Sequence, residues 1–145
     1  MFSTAMQAMI SSFGDSPNLF KTAAGGDDTL TGGTGNDTLW GDGLLLDEAS
    51  GGADWFVFDA NDGQDVIMDF RRSDGDKIVL DPSAIGWALL DTNGNGTLDG
   101  SDAHIQIVGD STLIDLGAAS GSDPGTHTLL IDGVAGLDES DFMFL

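Results

Sequence analysis

TGGTGNDTLW, Thr31–Trp40, is the stretch whose reading decides the fold. Glycines stand at 32, 33 and 35, an amide at 36, then Asp37 and the strand-like trio Thr38-Leu39-Trp40. Glycine reaches positive φ without steric penalty, so the backbone before Asp37 can turn tightly and aim successive carbonyls to one side. Asp37 and Leu39 are two residues apart and therefore share a face of an extended segment. The acid sits at the turn while the leucine enters a core. A hairpin turn rich in Gly, Asn and Asp has the same local composition, and repetition is what separates the two readings.

The kernel Gly-x-Asp-x-apolar repeats. GDDTL (26–30) precedes GNDTL (35–39), and GADWF (52–56) and GQDVI (63–67) follow; DGDKI (74–78) is a weaker copy with Asp in place of the first Gly. Asp28, Asp37, Asp54, Asp65 and Asp76 thus each stand two residues before Leu30, Leu39, Phe56, Ile67 and Ile78. A carboxylate beside inward carbonyls makes an all-oxygen cage suited to a hard cation of calcium's size. One such turn has too few oxygens, whereas two stacked turns can supply the six to eight that calcium takes. The candidate ligands are the five aspartates together with the turn glycines Gly33, Gly35, Gly52 and Gly63.

Composition agrees with a cation requirement. Twenty-five acids face 4 Lys+Arg, a formal net charge of -21, in a chain of 145 residues. Such a surface repels nucleic acid and anionic membranes. With 40% hydrophobic residues, including 8 Phe and 3 Trp, the chain can form one core if its acids are neutralised. The absence of Cys excludes disulfides and thiolate metal sites, leaving bound metal as the natural staple. No apolar run approaches the length of a spanning helix. The N-terminal MFSTAMQAMISSFG lacks the basic n-region of a Sec-type signal. The spacing of Phe2, Met6, Met9 and Phe13 predicts one face of a short helix, a cap or docking element.

DTNGNGTLDGSD, Asp91–Asp102, fits a second kind of acidic loop. Asp91, Asn93, Asn95 and Asp99 occupy positions 1, 3, 5 and 9 of a twelve-residue EF-hand-type loop, with Gly96 at the sharp turn and the Thr97 carbonyl at position 7. Asp102 stands where a longer Glu is usual. PSAIGWALL precedes as a short helix and AHIQIVG follows as a strand, so a full helix-loop-helix is not expected. Calcium binding and an unliganded Asn-Gly turn both fit this stretch. Beyond it, STLIDLG and THTLLIDGV read as strands around a turn near SGSDPG, and DESDFMFL ends the chain. These strands are expected to cap the last apolar layer of a repeat stack.

No catalytic constellation is present in the sequence: no H-E-x-x-H, no G-x-S-x-G elbow, no P-loop Gly-Lys pair, and His104 and His127 stand alone.

The repeats resemble the nonapeptide G-G-x-G-x-D-x-U-x of RTX, or hemolysin-type, calcium-binding proteins, with Gly32–Trp40 matching every fixed position. SGGADWFVFDANDGQDVIMDFRRSDGDKIVLD is similar to the segment closing the roll in serralysin-type protease C-terminal domains and alginate-epimerase R modules. The resemblance implies an all-β fold: a parallel β-roll with a C-terminal β cap, covering 22–145 after an N-terminal helix or linker at 1–21. It also implies that turns pair every second repeat, Asp28 with Asp54, Asp37 with Asp65 and Asp54 with Asp76. GDGLLLDEAS would be a degenerate or looped-out repeat. The implied role is non-catalytic. Several calcium ions fold the module after type I export to the extracellular space, and the terminal Phe-Met-Phe-Leu resembles that pathway's signal. Carbohydrate or surface binding is the alternative, with a uronate ligand disfavoured because only Lys21, Arg71, Arg72 and Lys77 are basic. The chain is expected to be either a small protein or part of a secreted enzyme.

Overall fold

A computed structural model describes residues 9–11, 20–22, 27–33, 35–41, 52–58, 63–83 and 85–144. Among them, short strands follow glycine-rich turns with the rhythm of the repeats: β1 (Met9–Ser11), β2 (Phe20–Thr22), β3 (Thr29–Thr31), β4 (Thr38–Trp40), β5 (Trp55–Phe58), β6 (Gln64–Ile67) and β7 (Lys77–Leu80). Successive strands alternate between two sheets. β1, β3, β5 and β7 pair parallel in one, and β2, β4 and β6 pair parallel in the other.

The register explains why the Asp-x-apolar spacing matters. Leu30 pairs with Phe56 and Phe56 with Ile78, while Leu39 pairs with Ile67, so the apolar member of every repeat stacks on its counterpart. All five are fully buried. Burying each such side chain contributes roughly 1.5–3 kcal/mol, so the stacked column rather than any single three-residue strand stabilises the arrangement.

The C-terminal half continues both sheets. After the single-turn helix α1 (Trp87–Leu90) come β8 (Ile105–Val108) and β9 (Ser111–Asp115), an antiparallel pair, then helix α2 (Leu116–Ala119) and β10 (Thr128–Ile131). β10 pairs antiparallel with β9 and parallel with β6, and the final β11 (Phe142–Phe144) pairs parallel with β7. Ile85, Leu90, Leu98, Ile105, Ile114, Leu116, Leu129 and Leu137 join the column of repeat residues in one buried cluster. The tail therefore covers the last apolar layer with strands that extend the sheets. α2 is an addition that the strand reading of this region lacked. The Asp115 side chain caps it by accepting the Ala118 N–H at 3.0 Å.

The expected N-terminal helix is corrected at Met9–Ser11, which form a strand paired with Thr29–Thr31. Phe2, Met6 and Phe13 lie outside the described residues, as does the insertion at 42–50. β2 spans the boundary expected between 21 and 22 and pairs with β4. A four-residue apolar stripe in isolation favours a helix, but a ready parallel edge on β3 satisfies the same backbone groups through tertiary pairing.

Candidate cation-binding turns and loop

The carboxylates of Asp28, Asp37, Asp54, Asp65 and Asp76 are all buried, between 0% and 2% exposed. Each turn is stitched to the turn two repeats later. The Asp28 N–H donates to Asp54 Oδ1 at 3.0 Å, the Asp37 N–H to Asp65 Oδ1 at 2.8 Å, and the Asp54 N–H to Asp76 Oδ1 at 2.9 Å. The three pairs that the resemblance implies are therefore neighbours in space. Asp76 also accepts the Arg71 N–H through Oδ2 at 2.8 Å. The backbone runs the opposite way: the carbonyls of Asp28, Asp37 and Asp54 accept from Trp55, Val66 and Lys77.

Sequence reasoning passed over a reciprocal stitch one residue earlier. Asp27 Oδ1 accepts the Ala53 N–H at 2.9 Å, and Asn36 Oδ1 accepts the Gln64 N–H at 3.0 Å. The Asp28 and Asp37 turns thus each give a side chain to the next coil and receive one from it, whereas Ala53 has none to give to the turn of Asp76. The only signal for this was the Asp or Asn preceding the repeat aspartate in GDD and GND.

The glycines act through their missing side chains. Gly33, Gly35 and Gly63 have φ of 79°, 104° and 111°. A Cβ at Gly63 would lie 2.2 Å from the Gly35 carbonyl oxygen, so the two turns stack backbone against backbone beside the Asp37–Asp65 pair. Gly41 lies against the Asp54 carboxylate, where a Cβ would come within 2.1 Å of Oδ2. Gly52 is half-buried at the head of the turn that ends in Asp54.

Asp91–Asp102 forms a compact loop. Asp91 Oδ1 accepts the Gly94 and Asn95 N–H groups at 2.9 and 3.1 Å, and its Oδ2 accepts Gly96 N–H at 2.8 Å. Asn93 and Asn95 each accept the backbone N–H two residues on, at 2.9 Å. Asp102 closes the loop. Its Oδ1 accepts the Asn93 N–H at 3.1 Å and its Oδ2 the Asp99 N–H at 2.9 Å. Asp91 and Asp102 are buried, while Asn93 and Asn95 are exposed. Hydrogen bonds from the Ser101 hydroxyl, the Asn95 amide and the Ser101 backbone hold the Asp99 carboxyl below the usual carboxylate range. Asp138 is likewise lowered, first by the Ser140 hydroxyl, with the charges of Arg72 and Lys77 adding.

Among the described residues, no three His, Cys, Asp or Glu side chains converge on one point. A cation held here must draw on backbone carbonyls and amide oxygens as well as carboxylates. The donor set permits that. Each carbonyl or carboxylate oxygen has two lone pairs, so Asn93 Oδ1, Asn95 Oδ1 and Asp102 Oδ2, which each accept one N–H, keep the capacity to meet an ion, while Asp102 Oδ1 also accepts the Thr92 hydroxyl at 3.3 Å. All are hard oxygen ligands of the class that calcium prefers. Charge balance points the same way. Buried carboxylates require compensation, yet the whole chain has 4 Lys+Arg for 25 acids. One of those cations, Arg72, is committed to Asp141 at 2.8 Å, and Lys77 Nζ donates to the Ser140 carbonyl.

This geometry defines an all-β protein whose glycine–aspartate turns stack in two columns. Its fold is shared by a solved structure, the solution structure of the R3 subunit of the Azotobacter vinelandii mannuronan C5-epimerase, AlgE6R3. The two are 23% identical with a TM-score of 0.58, over 98% of this chain and 75% of that one. No family model matches the chain, and no curated protein matches it.

Proposed function

We propose that the chain is a calcium-binding module, a parallel β-roll of RTX repeats whose stacked turns are held together by calcium ions. One observation carries the reading: five buried aspartates lie at glycine turns paired coil to coil, in a chain with a formal net charge of -21. Asp28, Asp37, Asp54, Asp65 and Asp76 would hold the ions, with carbonyls of Gly33, Gly35, Gly52 and Gly63. Asp91, Asn93, Asn95, Asp99, Asp102 and the Thr97 carbonyl would form a separate site. Bound calcium supplies the positive charge that the sequence lacks. Because a half-site in an unfolded chain binds poorly, binding free energy becomes folding free energy. At a hundredfold excess over Kd each site stabilises the folded state by about 2.7 kcal/mol.

In this reading the module has no catalysis of its own. It stays unfolded where calcium is scarce, leaves the cell through type I secretion machinery, and folds outside as the folding and secretion module of a secreted protein. Far-UV circular dichroism tests it: a β spectrum should appear as calcium is added and vanish when EGTA removes it. A folded β spectrum indifferent to the chelator overturns the proposal.

A second reading, glycan binding, is favoured by a cavity of about 310 Å³ lined by Asp27, Asp28, Thr29, Ala53 and Trp55. Trp55 is 37% exposed, and its indole offers a flat apolar face beside polar groups. The net charge argues for a neutral glycan over a polyanion such as mannuronan. Titration of the calcium-loaded protein with both, followed by Trp fluorescence, separates the cases.

A further inference from the structure

The loop Asp91–Asp102 has a partial double. Leu98-Asp99-Gly100-Ser101-Asp102 and Leu137-Asp138-Glu139-Ser140-Asp141 share Leu-Asp-x-Ser-Asp. They also share their hydrogen bonds. Asp99 Oδ1 accepts the Ser101 N–H at 2.8 Å, and Asp138 Oδ1 accepts the Ser140 N–H at 2.9 Å; both serine hydroxyls donate to the same oxygens. Asp102 Oδ2 accepts the Asp99 N–H at 2.9 Å, and Asp141 Oδ2 accepts the Asp138 N–H at 3.0 Å. Asp102 and Asp141 are 4% and 3% exposed, and both leucines are fully buried. The copies meet: the Leu98 N–H donates to the Leu137 carbonyl at 2.7 Å, and Thr97 and Asp138 form an antiparallel bridge.

They differ in what faces the carboxylate at the end. Aligned on the leucines, Gly136 corresponds to Thr97 at position 7 and Asp141 to Asp102 at position 12. In a cation loop these positions supply a backbone carbonyl and the closing carboxylate. In the second copy Arg72 Nη2 donates to both groups, to the Gly136 carbonyl at 3.2 Å and to Asp141 Oδ2 at 2.8 Å. Residues at positions 1 and 5 of this copy, Leu130 and Val134, offer no side-chain oxygen. A guanidinium is weakly hydrated and always charged, which suits it to a buried carboxylate.

We propose that Arg72 is the resident cation of a second, degenerate cation loop, Gly136–Asp141, and that it anchors the C-terminal strand without metal. The assignment rests on reading Asp91–Asp102 as a cation loop. β11 begins at the residue after Asp141, and Phe142 packs on Trp87 of α1 with ring centroids 5.7 Å apart. A cation at Asp141 therefore fixes the start of the strand that closes the five-stranded sheet. A protein-borne cation gives that closure at any calcium level, whereas the first loop depends on an ion from solution.

The test is amide hydrogen exchange of the whole chain at saturating calcium, comparing the wild type with Arg72→Gln, Arg72→Lys and Asp91→Asn. The Gln variant should exchange at least tenfold faster over 137–144, and added guanidinium ion in the millimolar range, well below denaturing levels, should restore much of the protection. The Lys variant, which keeps the charge and loses the planar fork, should fall between. Wild-type exchange in the Gln variant, accelerated exchange that guanidinium does not slow, or a Lys variant no slower than Gln overturns the assignment. Asp91→Asn reports on the other loop: it should speed exchange at 94–96. No change there would sink the cation reading of Asp91–Asp102, and with it the analogy, even if Arg72 proved to matter as an ordinary ion pair.

Discussion

The repeat turns and the Asp91–Asp102 loop place carboxylates beside backbone N–H groups in opposite ways. In the repeats, the Oδ1 contacts of Asp54, Asp65 and Asp76 each reach a turn in another coil, and Asp76 adds a local one, to the Arg71 N–H. In the loop, all the N–H groups that Asp91 and Asp102 accept lie within the same twelve-residue stretch. The first arrangement exists only when the coils have stacked; the second is local chemistry that a short peptide can begin to form. Losing a contact in the repeats should therefore be felt through the whole fold, and losing one in the loop should stay near the loop.

The largest expected effect comes from the column that both regions share. Phe56→Ala removes a fully buried ring that stacks between Leu30 and Ile78 and should cost about 3–5 kcal/mol at saturating calcium. A loss under 1 kcal/mol by denaturant melting would mean that the column does not hold the sheets together. Next come the glycines. Gly63→Ala must push against the Gly35 carbonyl from a residue at φ 111° and should cost more than about 2 kcal/mol. Gly94→Ala, at φ 74° in open space, should cost about 1–2 kcal/mol, from backbone strain alone. Equal costs would remove the distinction between stacked and free-standing turns.

Asp65→Asn and Asp91→Asn then sharpen the comparison. The first should raise the calcium concentration at the midpoint of folding several-fold, because it weakens a contact between coils. The second should leave that midpoint within twofold of the wild type. The reverse order, read by circular dichroism, would relocate the folding switch to the loop. The smallest effect lies outside both regions. The Ser83 hydroxyl and N–H hold the exposed Asp81 carboxyl below its ordinary value. A depressed folded pKa contributes stability that is present above the ordinary value of roughly 3.9 and lost as pH falls through the folded one. Ser83→Ala should move the Asp81 titration midpoint upward by NMR and lower the melting temperature slightly at neutral pH, a difference that disappears once the pH is below the folded value. An unmoved midpoint would show that the hydroxyl does not set it.

Much of this was legible in the chain because the repeats couple two signals at a fixed spacing. An aspartate two residues before an apolar residue announces both the turn and the buried face, and all five pairs are buried. β8 showed in the alternation of HIQIV, and β9 and β10 in the short apolar runs of STLID and HTLLI on either side of a Gly/Ser/Pro turn. β1 did not. Three residues are too few for a period of two, and the wider Phe/Met stripe has helical spacing; the strand exists because β3 offers an edge. The role of Arg72 was equally hidden. The Leu-Asp-x-Ser-Asp echo is visible in the sequence, but it lies outside the nonapeptide rhythm, and nothing local ties it to an arginine far upstream.

The antiparallel run from β8 to β10 has a consequence for assembly order. Ile105–Val108 and Ser111–Asp115 are joined by a two-residue reversal with Gly109 at φ 63°, so this meander closes mostly through contacts between residues near one another in the chain. The parallel coils have no such short cut, since each strand must await a neighbour from another winding. β10 then offers β6 a formed edge at one terminus of the stack. By that argument the C-terminal meander is the segment expected to order first, and exchange protection that arises in 105–131 no earlier than in the parallel coils would overturn the expectation.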